Sequence, residues 1–367
     1  MKLKYLLVGA FPPLSSDVIG GQVTACMNLF PPTLYPSSNT VRFDSTQISN
    51  PPPHFLVRLA LSFLKVFRFT FLIYKCRPQY VCILFTSGSS LLEKTLFVLV
   101  ARLFSSNSRI ILFPRSDVVL SQLSCNFFLR YSFALLLRIA NGWVLQSPSF
   151  INKFPVLDAP STFISPNSID SGLYPYSLSS LVLAKQKSLG FSILFVGWLE
   201  PVKQVDLIFY GIRHFMNKHA NCDIEFNIIG DGSCRHDLEH LATKLCINTI
   251  FHGWVSDKNL LSRIYSESSC FCLASRQEGF PNVVLEALIH NLPVLSTQVG
   301  ALPYFFDDNR HIIFFHSSPD SLSRSIEKIY FDSDFYKLLQ VNSRRLISDF
   351  SPTVTSSKVK GFIDSIS

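Results

Sequence analysis

Along almost the whole of this chain, short apolar runs rich in β-branched and aromatic residues alternate with longer stretches of helical periodicity. The first series of runs is LKYLLVGA (3–10), YVCILFT (80–86), RIILF (109–113) and GWVLQ (142–146), with helical patterns near 22–30, 55–75, 89–104 and 126–140. The second is FSILFVG (191–197), IEFNII (224–229), TIFH (249–252), CFCLA (270–274), PVLST (293–297) and HIIFF (311–315), separated mostly by helical patterns near 203–218, 233–246, 257–267, 282–290 and 319–330. Strands joined through helices of about ten residues or more must run parallel, by right-handed crossovers, with helices on both faces of the sheet. Two such series in 367 residues predict an α/β protein of two Rossmann-like domains facing each other across a cleft. The poorly patterned stretch 166–188, with Pro166, Gly172 and Pro175, is the natural linker. The expected division is 1–170, 171–345 and a C-terminal helix over 346–367 that crosses back to the first domain. Ligands of open parallel sheets sit beyond the carboxyl ends of the strands, so the cleft is the expected site.

Charge and composition narrow the partners. The formal net charge is +8, apolar residues make up 48% and Phe alone fills 34 positions, against 16% charged residues. A greasy, basic chain suits an anionic partner: nucleic acid, acidic lipid or a phosphorylated substrate. The basic residues are spread through apolar helices rather than clustered with aromatics, which argues against nucleic acid. In the pattern at 55–75, Arg58, Lys65, Arg68 and Lys75 fall within an arc of roughly 100° at about 100° per residue, leaving a broad face of Phe, Leu, Val and Ile. Two readings stay open: a helix lying in an anionic membrane interface, or a core helix with its polar stripe toward solvent. No charge-free run of 18 apolar residues occurs, so a spanning helix is not expected. MKLKYLLVGAFPPL reads as a first strand rather than a signal peptide, and the nine cysteines are scattered without a CxxC pair. Reduced thiols in a cytosolic protein are the expectation.

Three stretches can carry ligand chemistry. Gly20-Gly21 opens the first helical pattern, where amides without side chains can approach a phosphate, although an ordinary turn fits as well. Gly230-Asp231-Gly232 follows IEFNII, but GDGSCR fails the GxGxxG pattern at Arg235, which disfavours a dinucleotide site. SRQEGFPNVVLEAL (275–288) follows CFCLA and runs into a helix, with Asn282 as the expected N-cap. The amides of Val283 and Val284 would then point out of the helix start toward an anion such as a pyrophosphate. Glu286, about one turn inside, can accept two hydrogen bonds from a vicinal diol, and Glu278 can hold another hydroxylated group. Acids near a helix start are also simply stabilising, and spacing alone leaves that alternative open.

FVGWLEPVKQ (195–204), NIIGDGS (227–233), FHGWV (251–255), SRQEGFPNVVLEAL and PVLSTQVGALPYF (293–305) occur in one order, and in that order the chain resembles the retaining glycosyltransferases of the two-Rossmann GT-B fold often called family 4. The resemblance implies that 1–170 binds the acceptor and 171–345 the nucleotide sugar. It implies that Glu278 holds donor-sugar hydroxyls, that Glu286 holds the ribose and that Lys203 contacts phosphate. Gly279 and Phe280 would offer backbone amides to the sugar, with Asn282, Val283 and Val284 near the pyrophosphate. Gly230 belongs to the same donor side, Trp254 and Val255 fall where backbone meets the base, and Gly21 matches the glycine near donor phosphate and acceptor.

Two positions depart from the family. An Arg is usual five residues before the lysine, and here that position is Trp198, so another cation such as Arg276 would have to compensate. FPRSDV (113–118) replaces a frequent His, which makes Arg115 and Asp117 the acceptor-side residues.

The implied activity is transfer of a sugar from a nucleotide-diphosphate donor to a hydroxyl of a glycan or lipid-linked acceptor, by an enzyme on the inner face of the plasma membrane. Cell-surface polysaccharide synthesis is the implied role. The departing phosphate would take the acceptor proton, so no carboxylate nucleophile is needed. No cofactor or metal is expected. Asp332-Ser333-Asp334 has DxD spacing but follows an amphipathic helical pattern, and the nine histidines form no HExxH. An epimerase of the same architecture and a non-catalytic sugar-nucleotide binder, the latter motivated by Trp198, are the alternatives.

Overall fold

The computed structural model describes residues 3–11, 21–46, 54–86, 88–116, 118–169 and 190–366. It divides into two compact units, Met1–Ser168 with Pro352–Ser367, and Ile169–Ser351. From residue 170 onward the expected linker lies outside the described residues.

In the first unit, β1 (Tyr5–Gly9), α1 (Gly21–Leu29), β2 (Thr40–Asp44), α2 (Phe55–Cys76), β3 (Tyr80–Phe85) and α3 (Gly88–Phe104) are followed by β4 (Arg109–Pro114), α4 (Val118–Cys125), α5 (Phe127–Ile139), β5 (Gly142–Leu145), α6 (Ser149–Lys153) and β6 (Thr162–Ile164). The sheet runs β2-β1-β3-β4-β5-β6 with every neighbour parallel. Its inner strands read as unbroken apolar runs because both faces are covered: YLLVG and YVCILF are buried at every position. One face packs on α2, α3 and α5 through Phe69, Ile73, Phe97 and Phe133. The other packs on α1, and on Val359 and Ile363 from the far end of the chain.

The helix over 55–75 forms, but its solvent side is not its cationic stripe. Phe63, Phe67, Phe71 and Tyr74 are exposed, whereas Lys65 turns in to donate to the carbonyls of Ser45 (3.3 Å) and Thr46 (3.0 Å). Arg68 and Lys75 remain exposed at the edge of the aromatic row. No described helix is long and apolar enough to cross a membrane.

The second unit continues with β7 (Phe191–Val196), α7 (Val205–Lys218), β8 (Ile224–Ile229), α8 (Arg235–Lys244), β9 (Asn248–Gly253), α9 (Lys258–Glu267) and β10 (Cys270–Leu273). Then come α10 (Asn282–Ile289), β11 (Val294–Thr297), α11 (Leu302–Phe305), β12 (Ile313–Phe315), α12 (Pro319–Phe331) and α13 (Ser333–Ile347). The parallel sheet runs β12-β11-β10-β7-β8-β9, so the winding reverses between β10 and β7. Asp332 of the DxD-like triplet is the N-cap of α13, accepting from the amides of Asp334 (3.1 Å) and Phe335 (2.8 Å).

The last helix, expected over 346–367, is α14 (Pro352–Ser365). Pro352 can open it because a first-turn residue needs no amide hydrogen. α14 belongs to the first unit, where Asp364 meets Tyr5 Oη, Lys4 Nζ (3.2 Å) and Lys360 Nζ (2.5 Å). Burial opposes charge on Asp364, but the hydrogen bonds from Lys360, Tyr5 and Lys4 outweigh it and hold the carboxyl below its ordinary value.

Candidate functional site

The loops that carry the sequence motifs all leave the carboxyl ends of strands in the second unit, and backbone hydrogen bonds stitch them together. Gly197 N donates to Ile229 O (3.0 Å), Leu199 N to Asp231 O (2.9 Å) and Gly230 N to Gly253 O (2.8 Å). This tie brings Gly230 so close to the β7 loop that a Cβ there would lie 1.9 Å from Gly197 O, and its φ of +132° favours glycine as well. Gly300 plays the same part on the other side: with φ +56°, its Cβ would meet Gly279 O at 2.1 Å. The first motif loop is thus fixed against the second, and the Glu278–Gly279 turn against the loop after β11.

Lys203 ends a short 3-10 turn after β7, and Glu278 lies in the loop after β10. These are the two strands between which the winding reverses, where an open parallel sheet leaves a crevice. Lys203 Nζ contacts Glu278 Oε1 at 2.5 Å, and the same oxygen accepts from Ser275 Oγ at 2.8 Å. Ser275 is itself held by Thr297 Oγ1, which donates to its carbonyl at 2.7 Å. Both charged side chains are largely but incompletely covered, 21% and 14% exposed, so a ligand has access to them. A cation for phosphate oxygens and a carboxylate for hydroxyls therefore share one point.

The helix start differs from the sequence reading. The N-cap of α10 is Pro281, with no side-chain cap bond, and Asn282 is the first helical residue. Pro281 is extended, with φ −73° and ψ 110°, so helical geometry begins only at Asn282. Val284 N, expected to point outward, instead donates to Pro281 O at 3.1 Å. Val283 stays in the first turn, where amides have no intrahelical acceptor. Phe280 is buried among Phe305, Phe306 and Phe350, which anchors the turn between Glu278 and the helix.

Glu286 is half-buried one turn into α10 and accepts from Tyr265 Oη of α9 at 3.0 Å. Behind it, His290 stacks on Tyr265 with ring centroids 5.0 Å apart and planes 12° apart. His290 Nδ1 lies 2.7 Å from Glu286 O and Nε2 2.8 Å from Ser262 Oγ. A carbonyl only accepts, so Nδ1 carries the proton and Nε2 accepts from the serine. Burial holds the His290 pKa below its ordinary value, which keeps the ring neutral in this role. Burial, then the Glu286 charge, pushes the Tyr265 phenol well up, so it remains a donor. Tyr265, Ser262 and His290 were not legible as site residues, because the first two lie on α9 and the third at the end of α10, and they match no local motif.

Trp198 and Trp254, from the loops after β7 and β9, are 48% and 58% exposed, with rings 5.5 Å apart and tilted by 32°. Val255 is half-buried against the core. Arg276 reaches the residue next to Lys203: with the Gln204 amide donating to Ala274 O (3.1 Å), its oxygen accepts from Arg276 Nε (3.0 Å) and Nη2 (3.2 Å). In the first unit, Gly21 is the first residue of α1, while Gly20 and Asp117 lie outside the described residues. Arg115, at the end of β4, is buried and donates from Nη1 to Ser165 O at 2.7 Å. Its Nε and Nη2 have no hydrogen-bond partner among the described residues, and burial lowers its pKa to about 10.

Residues 190–332 match the glycosyl transferases group 1 family. A Campylobacter jejuni protein named GalNAc-alpha-(1->4)-GalNAc-alpha-(1->3)-diNAcBac-PP-undecaprenol alpha-1,4-N-acetyl-D-galactosaminyltransferase is 26% identical over 203 residues, 55% of this chain and 52% of that one. A Klebsiella pneumoniae protein described as an uncharacterized 41.2 kDa protein in the cps region is 32% identical over 120 residues, 32% of this chain and 30% of that one. The chain thus spans about half or less of the length of these curated relatives. Among solved structures, Anabaena HepE in complex with UDP superposes with a TM-score of 0.75 at 15% identity, over 99% of this chain and 100% of that one. The lipopolysaccharide outer core galactosyltransferase WaaB does so with a TM-score of 0.71 at 18% identity, over 99% of both chains. Residues 190–332 thus form a domain that matches the group 1 glycosyltransferases, and the two units of parallel sheet have the GT-B fold.

Proposed function

We propose that the protein transfers a sugar, with retention at the anomeric carbon, from a nucleoside-diphosphate donor to a hydroxyl of a lipid-linked glycan, working as a peripheral protein on the inner face of the plasma membrane in cell-surface polysaccharide synthesis. The observation that carries this reading is the Lys203–Glu278 contact across the β7/β10 crevice, with Glu286 one turn into the adjoining helix. The names of similar proteins support its parts: HepE was solved with UDP and with UDP-glucose, and the Campylobacter jejuni relative is named for an undecaprenol-linked glycan.

In this mechanism the incoming diphosphate takes Lys203, and Glu278 turns its freed oxygen to the sugar hydroxyls. Glu286, oriented from behind by Tyr265, holds the ribose diol. Gly279, Phe280, Asn282 and Val283 line the sugar and pyrophosphate side, Gly230 closes the crevice floor, and Trp254 and Val255 adjoin the base. As the bond from C1 to phosphate oxygen breaks, negative charge grows on the leaving phosphate, where Lys203 and the start of α10 stabilise it. The acceptor hydroxyl attacks from the same face and passes its proton to that phosphate. Gly21 approaches the donor phosphate and the acceptor, Arg115 and Asp117 serve the acceptor side, and no step requires a metal.

Calorimetry with UDP-, GDP- and ADP-sugars, followed by product analysis with polyprenyl-linked acceptors, tests the reading. Glu286→Ala is expected to weaken nucleotide affinity about tenfold or more, corresponding to about 1.4 kcal/mol per tenfold; unchanged affinity refutes the ribose role. Product formed without acceptor would mean epimerisation. Tight nucleotide binding with no product from any acceptor would favour a non-catalytic binder, the reading that Trp198 in place of the family's cation supports.

A further inference from the structure

The outer side of the first unit's helical layer is apolar on three adjacent helices. On α2 it presents Phe63, Phe67, Phe71 and Tyr74, of which Phe67 is 73% exposed. The central helix α3 packs against both α2 and α5 and exposes Leu92, Leu96, Leu99 and Leu103. These four lie at steps of four, three and four residues, a stripe that a buried helix would turn inward. On α5, Phe127, Phe128 and Tyr131 continue the surface, the two phenylalanines 75% and 73% exposed. An edge-on contact between Tyr74 and Phe104 joins α2 to α3, with centroids 6.3 Å apart. Soluble monomers rarely leave a contiguous surface of this kind uncovered.

The charge around it has one sign. Across the sequences of the three helices the only acid is Glu93, and it is covered, meeting Lys94 Nζ at 2.5 Å and accepting from Ser62 Oγ at 3.1 Å. Arg68, Lys75, Arg130 and Arg138 are all exposed. A second copy joined face to face would bring the same cations together, because a two-fold interface pairs each patch with itself. Anionic lipid satisfies both features, with phosphates meeting the cations and acyl chains meeting the rings.

We infer that the α2–α3–α5 face docks the protein on an anionic bilayer, with Phe63, Phe67, Phe71 and the α3 leucines entering the headgroup boundary. The inference rests on and deepens the membrane-associated part of the proposed function, and its test needs no catalysis. Full-length protein is floated with vesicles of phosphatidylglycerol and phosphatidylethanolamine, or of phosphatidylcholine alone. Wild type should float with the anionic vesicles, and the bound fraction should fall about tenfold in Phe67→Glu/Phe71→Glu and in Leu96→Glu. Arg68→Glu/Lys75→Glu should lose the preference for anionic over neutral vesicles. Because these side chains point outward, the variants should keep the wild-type melting temperature and nucleotide affinity. Failure of wild type to float, or Glu variants floating like wild type, overturns the inference. So does a dimer in light scattering that the Glu variants dissolve without any vesicle binding by wild type. Vesicle binding without nucleotide binding would leave the docking face standing and remove the sugar-transfer reading.

Discussion

Lys203 and Glu278 occupy each other, and in the proposed mechanism a ligand separates them, so each has two effects when removed. Lys203→Ala deletes the proposed charge-assisted phosphate contact, worth about 1.5–3 kcal/mol, an expected loss of about 10- to 100-fold in kcat/KM, and it strands Glu278 without its cation. Lys203→Ala/Glu278→Gln should therefore recover melting temperature relative to Lys203→Ala while recovering no activity; parallel thermal and kinetic assays separate the two effects. Trp198→Arg restores the charge usual in the family five residues before the lysine. It is expected to lower the Kd for UDP by up to about tenfold, read by calorimetry, and an unchanged Kd would mean that Arg276, held beside Lys203 through Gln204, already supplies the charge. Glu278, Glu286 and Lys203 could be found in the sequence because each lies in a short motif with its own strand or helix start. The Tyr265–His290–Ser262 support could not, since it exists only when α9 packs against α10.

At the scale of elements, strands buried on both faces were the easiest to read, because their apolar runs have no solvent side to interrupt them. β2 and β6 escaped notice: β2 is an edge strand whose burial pattern mixes buried and half-buried positions, and β6 is three half-buried residues. The helix cap slipped by one residue at Pro281, and the outward side of α2 proved aromatic, neither of which helical spacing decides. α14 owes its place in the first unit to Val359 and Ile363 in the core and to Asp364. Asp364→Asn is expected to destabilise that unit by about 1–2 kcal/mol, since charged hydrogen bonds contribute about 1.5–3 kcal/mol before solvent screening. The carboxyl is held below its ordinary 3.8, so the stabilisation is complete above that value and disappears as pH falls through the depressed folded value. Thermal melts of wild type and variant should accordingly differ at neutral pH and converge in acid.

For the whole molecule, the two units have separate cores, one built on the β7–β12 sheet and the other on two faces of the β1–β6 sheet. All the proposed donor-binding groups except Gly21 belong to the second unit. UDP at 100 times its Kd should stabilise that unit by about 2.7 kcal/mol. Scanning calorimetry is therefore expected to show two transitions of which nucleotide raises one, and equal movement of both would mean that the units melt together. The units also differ in continuity: the second is one uninterrupted segment, whereas the first is finished only by Pro352–Ser367. On a ribosome adding about 5–20 residues per second, the first sheet must wait roughly 10–40 s for the helix that completes, beside α1, the cover of its second face. The later-made unit can thus mature before the earlier one, and during that interval the part of the first sheet that α14 later covers is open to chaperones and proteases.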